Sequence, residues 1–246
     1  MTAASVVLLG AGGFVAGIVN TAAGGGSLLT LPLLVMLGIP GGTANATNRV
    51  AVLAQSVVGA WRFDVEGVPG VRASRPYLLP LLMGGAAGAL LVTRLPDQWF
   101  EQAFALLMLI LLVPTLRPLR LERAGRTNPR YGAVEAAMLF IIGLYGGAFQ
   151  AGVGLLLVMV LARIGHDLVV ANSIKLVVVA AFTAVAVAIF LMHQSVMWIP
   201  ALILAVSQAV GAAVGARIVV RGGERIVRPI FAVAVVVMAG RMLRLY

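Results

Sequence analysis

The chain has 246 residues, 61% of them hydrophobic and only 11% charged, with a mean hydropathy of +1.07. A soluble domain carries about 25% charged residues, so no polar coat remains for a water-facing surface, and the chain reads as a polytopic protein of the lipid bilayer. The net charge is +10, with most of the arginines in short loops, which is a positive-inside pattern rather than a nucleic-acid footprint.

Cysteine is absent and His166 and His193 are the only imidazoles, which excludes disulfides, thiolate redox chemistry and a His-rich metal site. No cofactor is expected. The N-terminus lacks a basic n-region and its apolar run continues past any cleavage point, so it does not read as a cleavable signal.

Apolar segments fall near 4–22, 27–38, 43–62, 75–94, 98–116, 131–149, 153–164, 168–191, 196–217 and 227–244. Two of these, 27–38 and 153–164, hold about 12 residues, or ~18 Å of helix, which is too short to cross hydrocarbon. Each follows a glycine-rich break, Gly24-Gly25-Gly26 in one case and Gly152-Val153-Gly154 in the other. They read as half-helices of broken, re-entrant hairpins.

The two halves align in order. Gly24 to Gly26 falls on Gly152 to Gly154, Gly38 falls near Gly165, and Asn45 to Val50 falls on Ala171 to Leu176. The expected fold is therefore an all-α membrane protein of two inverted-topology repeats, each a broken-helix hairpin plus three transmembrane helices. Repeat 1 covers 1–116, a basic cytoplasmic loop covers 117–130, and repeat 2 covers 131–246. Arginines place the 117–130 and 217–228 loops, and less strongly the 62–75 loop, in the cytoplasm, with the uncharged 192–195 link outside. Three crossings per half would put both termini outside, against which Arg241 and Arg244 argue. Inverted repeats with broken helices at the midplane are the build of many secondary transporters.

Two cations stand at matching points of these halves. No ionised side chain precedes Arg49 and none follows it before Arg62, while Lys175 is alone between Asp167 and Arg217. A cation at membrane depth costs at least ~3 kcal/mol on insertion scales, so a matched pair suggests a bound anion. The alternative is that both snorkel to the interface. Around them, Asn45, Thr47, Asn48, Asn172 and Ser173 supply neutral donors. The half-helices starting at Ser27 and Leu155 turn their N–H groups and positive dipole ends toward the breaks, where an anion satisfies both. The predicted substrate site is thus Gly24, Gly25, Gly26, Ser27, Asn45, Thr47, Asn48, Arg49, Gly152, Gly154, Asn172, Ser173 and Lys175. Gln150 and Asn20, beside the breaks, add donors.

Other residues have plainer readings. Gly10, Gly13, Gly17, Gly211 and Gly215 suit close helix packing, and for Gly24 to Gly26 packing competes with ligand proximity. Gln55, Ser56, Ser207 and Gln208 suit helix–helix hydrogen bonds. Trp61, Trp99 and Trp198 lie near segment ends, as in an aromatic belt. Glu135 is either a protonatable coupling group, with protons as the coupling ion, or an interfacial partner of the loop arginines. An enzyme is disfavoured, because Gly25-Gly26-Ser27-Leu28 lacks the second glycine of a nucleophile elbow and seven of the eight acidic residues lie in or beside loops.

At Gly13 to Gly17, Gly24 to Leu34, Gly38-Ile39-Pro40 and Ala44 to Asn48 the sequence resembles the TauE/SafE family of sulfite and organosulfonate exporters. The resemblance implies a multi-pass transporter of the bacterial inner membrane, moving sulfite, sulfonates such as sulfoacetate, or related carboxylates by alternating access. An anion channel or a carrier of an unrelated small solute is the alternative. The second half departs from the pattern: Val153 interrupts the glycine triplet, no proline matches Pro32, and Ser173 replaces Thr47.

Overall fold

The computed structural model describes residues 1–116, 131–193 and 196–221, and every regular element among them is helical. In chain order these are α1 (Ala3–Ala23), α2 (Ser27–Met36), α3 (Gly41–Val65), α4 (Gly70–Ser74), a 3-10 turn at Arg75–Tyr77, α5 (Leu78–Val92), α6 (Asp97–Leu116), α7 (Ala133–Ala148), α8 (Val153–Ile164), α9 (Leu168–His193) and α10 (Trp198–Val220). Four stretches among the described residues, Ala3–Ala22, Gly70–Val92, Leu168–His193 and Trp198–Val220, are long and apolar enough to cross a membrane. The expected 117–130 loop, the 227–244 segment with Arg241 and Arg244, and most of the 217–228 loop lie outside the described residues, as do two residues of the 192–195 link.

Glycine sets the breaks. α1 stops at Gly24, whose φ of +82° is the left-handed conformation that a Cβ penalises, and whose N–H donates to the Asn20 carbonyl at 3.0 Å. α2 and α8 have 10 and 12 residues. That gives about 15–18 Å of rise, so both are as short as expected. α2 turns back along α1: a methyl on Gly12 would strike Leu33, and one on Gly26 would strike the Ala16 carbonyl. α8 leaves α7 in the same manner, with Val153 against Gly146.

One segment differs from expectation. The helix expected from 75 begins at Gly70 and is interrupted by the Arg75–Tyr77 turn. Pro76 has no N–H to carry the α-helical ladder through this point.

Packing between the halves follows a swapped pattern. α1 lies on α10, and α7 lies on α5. Both contacts are made by glycines four apart. Gly13 and Gly17 meet Ser207 and Gln208, while Gly211 and Gly215 meet the α1 backbone at Phe14 and Ile18. Likewise Gly84 and Gly88 meet Phe140 and Leu144, while Gly143 and Gly147 meet Leu81 and Gly85. In lipid such close approach replaces the hydrophobic drive that water supplies elsewhere. The packing role expected of Gly13, Gly17, Gly211 and Gly215 is thus observed. Gly10 has no such role, since a Cβ there meets nothing within 4 Å.

α3 and α9 cross in the centre and run antiparallel, with Gly59 against Leu176 and Arg49 over Phe190. Their polar heads are fully covered, as are Phe63, Phe182 and Phe190. Trp61, Trp99 and Trp198 are 59%, 63% and 54% exposed, so they stand on the outer surface as a belt requires.

Candidate functional site

The two glycine-rich breaks meet in the buried interior. A Cβ on Gly24 would fall on the Gly154 carbonyl carbon and the Leu155 nitrogen, and one on Gly154 would fall on Gly24 Cα. Gly152 sits at φ +64° and caps the start of α8. In this conformation Gly24 and Gly154 therefore serve the contact between the breaks. Neither half-helix has a side-chain cap at its N-terminus.

Arg49 comes from the third turn of α3 and is completely buried. Its Nη1 donates to the Gly146 carbonyl at 2.6 Å and to Gln150 Oε1, and its Nη2 donates to the Gly147 carbonyl at 2.6 Å. The guanidinium carbon lies 5.3 Å from the Phe190 ring centre, a cation–π contact. Gly146 and Gly147 belong to the last turn of α7, where the dipole is negative, and the Gly146 carbonyl also accepts the Gln150 N–H at 3.1 Å. A planar fork suits two adjacent carbonyls.

Lys175 repeats this arrangement in the opposite direction. Its Nζ donates to the Asn20 and Thr21 carbonyls, at 2.9 and 2.8 Å, and to Asn172 Oδ1 at 2.7 Å. Asn20 and Thr21 lie in the last turn of α1. Each half thus supplies the cation that caps the first helix of the other. Neither side chain snorkels, since Arg49 is 0% and Lys175 1% exposed.

The structure does not bring the two cations to one point. Thr183 joins the Arg49 cluster through Gln150 Nε2 at 3.5 Å, and Phe190 touches Arg49 itself. The rise along α9 from Lys175 to Thr183 is about 12 Å and to Phe190 about 22 Å. In this conformation the two cations therefore serve different helix ends, Arg49 that of α7 and Lys175 that of α1.

The remaining predicted residues divide between the clusters. Asn45 Nδ2 donates to the Ala148 carbonyl at 2.9 Å, and Asn48 Oδ1 accepts from the Thr30 hydroxyl at 2.7 Å. Thr47 accepts the N–H of Met197 at 3.1 Å, at the entry to α10, and Ser173 abuts Gly70 at the entry to α4. These two join the halves. Gly25, Gly26 and Ser27 form the buried turn into α2. Asn45 Oδ1, Asn48 Nδ2 and Arg49 Nε are buried without a hydrogen-bond partner among the described residues. No carboxylate among the described residues pairs with Arg49.

Gln150 has a φ of 62°, the one positive value among the described non-glycine residues. That conformation costs about 1–2 kcal/mol for an L-residue. The bonds to Arg49 and Thr183 hold it in place. Glu135 stands elsewhere, at the third residue of α7, where Oε2 accepts the Gly132 N–H at 3.1 Å and Oε1 lies 3.9 Å from Arg163 Nε. It is separated from Gly146 by about 16 Å of helix.

The sequence model of the family described as sulfite exporter TauE/SafE matches residues 9–242. The probable membrane transporter protein YfcA of Escherichia coli (strain K12) is 26% identical over 244 residues, covering 97% of this chain and 91% of that protein. The probable membrane transporter protein ORF9 of Sinorhizobium sp is 26% identical over 234 residues, covering 94% and 89%. A probable membrane transporter protein of Haemophilus influenzae is 25% identical over 233 residues, covering 94% and 91%. With a match across nearly its whole length, this chain belongs to the TauE/SafE family.

Proposed function

We propose that the chain is a secondary carrier of small anions in the bacterial inner membrane, working by alternating access between two inverted repeats, 1–116 and 131–246, joined by the 117–130 loop. The observation that carries this reading is the state of Arg49. It is fully buried, bonded to neutral carbonyl and amide oxygens, and has no carboxylate partner among the described residues. Carbonyl dipoles engage its two Nη atoms but leave its charge unneutralised, and an anion does what they do not. Arg49 Nε and Asn48 Nδ2 are the donors left over to receive one.

The swapped packing supports the inverted repeat. Helix pairs α1–α10 and α7–α5 correspond under exchange of the halves, as do the caps made by Arg49 and Lys175. An anion arriving at Arg49 competes with the α7 carbonyls and loosens one half from the other. Rocking of the halves then exposes the occupied site to the opposite side. A sulfur oxyanion such as sulfite, a sulfonate such as sulfoacetate, or a small carboxylate fits a forked cation flanked by amides. Membership of a family described as sulfite exporters favours sulfite among these. Glu135 is the proposed proton-coupling residue by elimination, being the acidic side chain that lies within a helix among the described residues of the second half.

The test is uptake into proteoliposomes of labelled sulfite, sulfoacetate, sulfate and a short dicarboxylate, with and without an imposed proton gradient. Saturable, gradient-driven accumulation of one anion supports the carrier. Currents without accumulation indicate a channel, and no movement of any anion refutes the anion assignment.

A further inference from the structure

A second group of buried polar side chains lies between α1, α3 and α10, where the sequence suggested only helix–helix hydrogen bonds. Ser207 follows that expectation within its own helix, donating to the Ile203 and Leu204 carbonyls at 2.8 and 3.2 Å. Gln55 follows it in part: its Oε1 accepts from Asn20 Nδ2 at 2.7 Å. Ser56 and Gln208 do not follow it. Gln55 Nε2, Ser56 Oγ and both amide atoms of Gln208 are buried with no partner among the described residues. All three side chains are 0% exposed. For Gln208 the conclusion is independent of which way the amide is placed, since both ends lack a partner.

Helix register brings these residues to one level. Gly17 of α1 lies against the backbone of Gln208, Gly59 of α3 lies 3.7 Å from the Ala212 methyl by its Cβ position, and Met197 bonds Thr47. α3 and α10 therefore run side by side in the same direction, with Gln55 and Ser56 level with Gln208. The Asn20 side chain links Gln55 to the same α1 turn whose carbonyl accepts from Lys175.

Buried amides and hydroxyls are almost always paired, and each exception calls for a ligand, a water or an ion. We infer that Gln55, Ser56 and Gln208 form an oxyanion subsite one step beyond Lys175, occupied when α1, α3 and α10 move apart. Two amide NH2 groups and a hydroxyl donate to the anion's oxygens. Gln208 also offers a carbonyl oxygen, which demands a donor from the ligand. The matching ligand is a small oxyanion that still carries one hydroxyl, such as the monoprotonated form of sulfite. This deepens the carrier reading and rests on it for the transport of the anion, but the site's occupancy is tested separately.

The occupancy test is a structure of the protein soaked with sodium selenite, an oxyanion with an anomalous scatterer. A selenium peak whose oxygens lie within hydrogen-bond distance of Gln208 and Ser56 supports the subsite. Ordered water alone, or no density, overturns it. In parallel, Gln208→Leu and Ser56→Ala are assayed for sulfite uptake, with thermal unfolding as the check on folding. The expected result is a KM raised at least tenfold with the maximal rate within twofold. An unchanged KM in two folded variants overturns the subsite and leaves the carrier standing. Loss of uptake in Arg49→Gln speaks to the carrier and not to this subsite.

Discussion

The contact between the two breaks gives a prediction whose size follows from the geometry. Gly24 and Gly38 share the same φ of +82°, but a Cβ on Gly38 meets nothing within 4 Å while one on Gly24 strikes backbone atoms of Gly154 and Leu155. Gly38→Ala therefore isolates the cost of a left-handed L-residue, about 1–2 kcal/mol. Gly24→Ala adds overpacking against backbone that has no rotamer to change, about 1–3 kcal/mol more. The sum is about 2–5 kcal/mol for Gly24→Ala. Gly154→Ala has the steric conflict without the left-handed strain and falls below Gly24→Ala. Unfolding of the three purified variants in one detergent, by denaturant titration against the wild type, measures these differences. Equal destabilisation by Gly24→Ala and Gly38→Ala would refute the claim that the two breaks are packed backbone to backbone.

Further outcomes follow from individual groups. Asp97 Oδ1 and Glu101 Oε1 accept the Gly42 and Gly41 N–H groups at 2.7 and 3.1 Å, so α6 caps the start of α3. Asp97→Ala is expected to cost about 0.5–2 kcal/mol in the same unfolding assay, as loss of an N-cap does. His166 lies in the loop before α9, its Nε2 2.7 Å from the Tyr77 hydroxyl, and burial pushes its pKa below its ordinary value of 6.5 against the opposing pull of Asp167. The unfolded chain then binds the proton first, so this contribution to stability is full above pH 6.5 and is lost as pH falls from there toward the lowered pKa. An unfolding series over pH is expected to show that loss in the wild type and not in His166→Gln. Glu135→Gln keeps an acceptor for the Gly132 N–H but removes the titratable charge. If Glu135 couples protons, gradient-driven uptake disappears in this variant while downhill exchange survives, and unchanged driven uptake removes Glu135 from the mechanism.

The helices were legible because glycine and hydropathy leave marks in sequence. The α8 bounds match the expected 153–164, and α2 ends at Met36 instead of 38 because Gly38 adopts a positive φ. α4 falls where the sequence predicts a loop, since Gly67, Pro69 and Gly70 supply breakers at its start. Arg49 and Lys175 stand out as isolated charges, but their main-chain partners do not. Those partners are main-chain carbonyls at Asn20, Thr21, Gly146 and Gly147, and a carbonyl carries no residue-type signal. Phe190 and Thr183 looked like ordinary members of an apolar helix. Gln150, expected as a donor, also accepts from Arg49. The swapped glycine contacts of Gly84, Gly88, Gly143 and Gly147 became evident only once α5 and α7 were seen to pair.

The central claim is that Arg49 meets a transported anion and does more than cap α7. Uptake of labelled sulfite by proteoliposomes bearing wild type, Arg49→Gln or Arg62→Gln tests it most directly, with each variant's folded fraction measured beforehand. Arg62 serves as the control, since its charge is paired with Glu66 at 2.6 Å near the end of α3. The account predicts saturable uptake in the wild type and Arg62→Gln, and its loss in folded Arg49→Gln. Wild-type uptake by folded Arg49→Gln would contradict it and leave Arg49 as a structural cap alone.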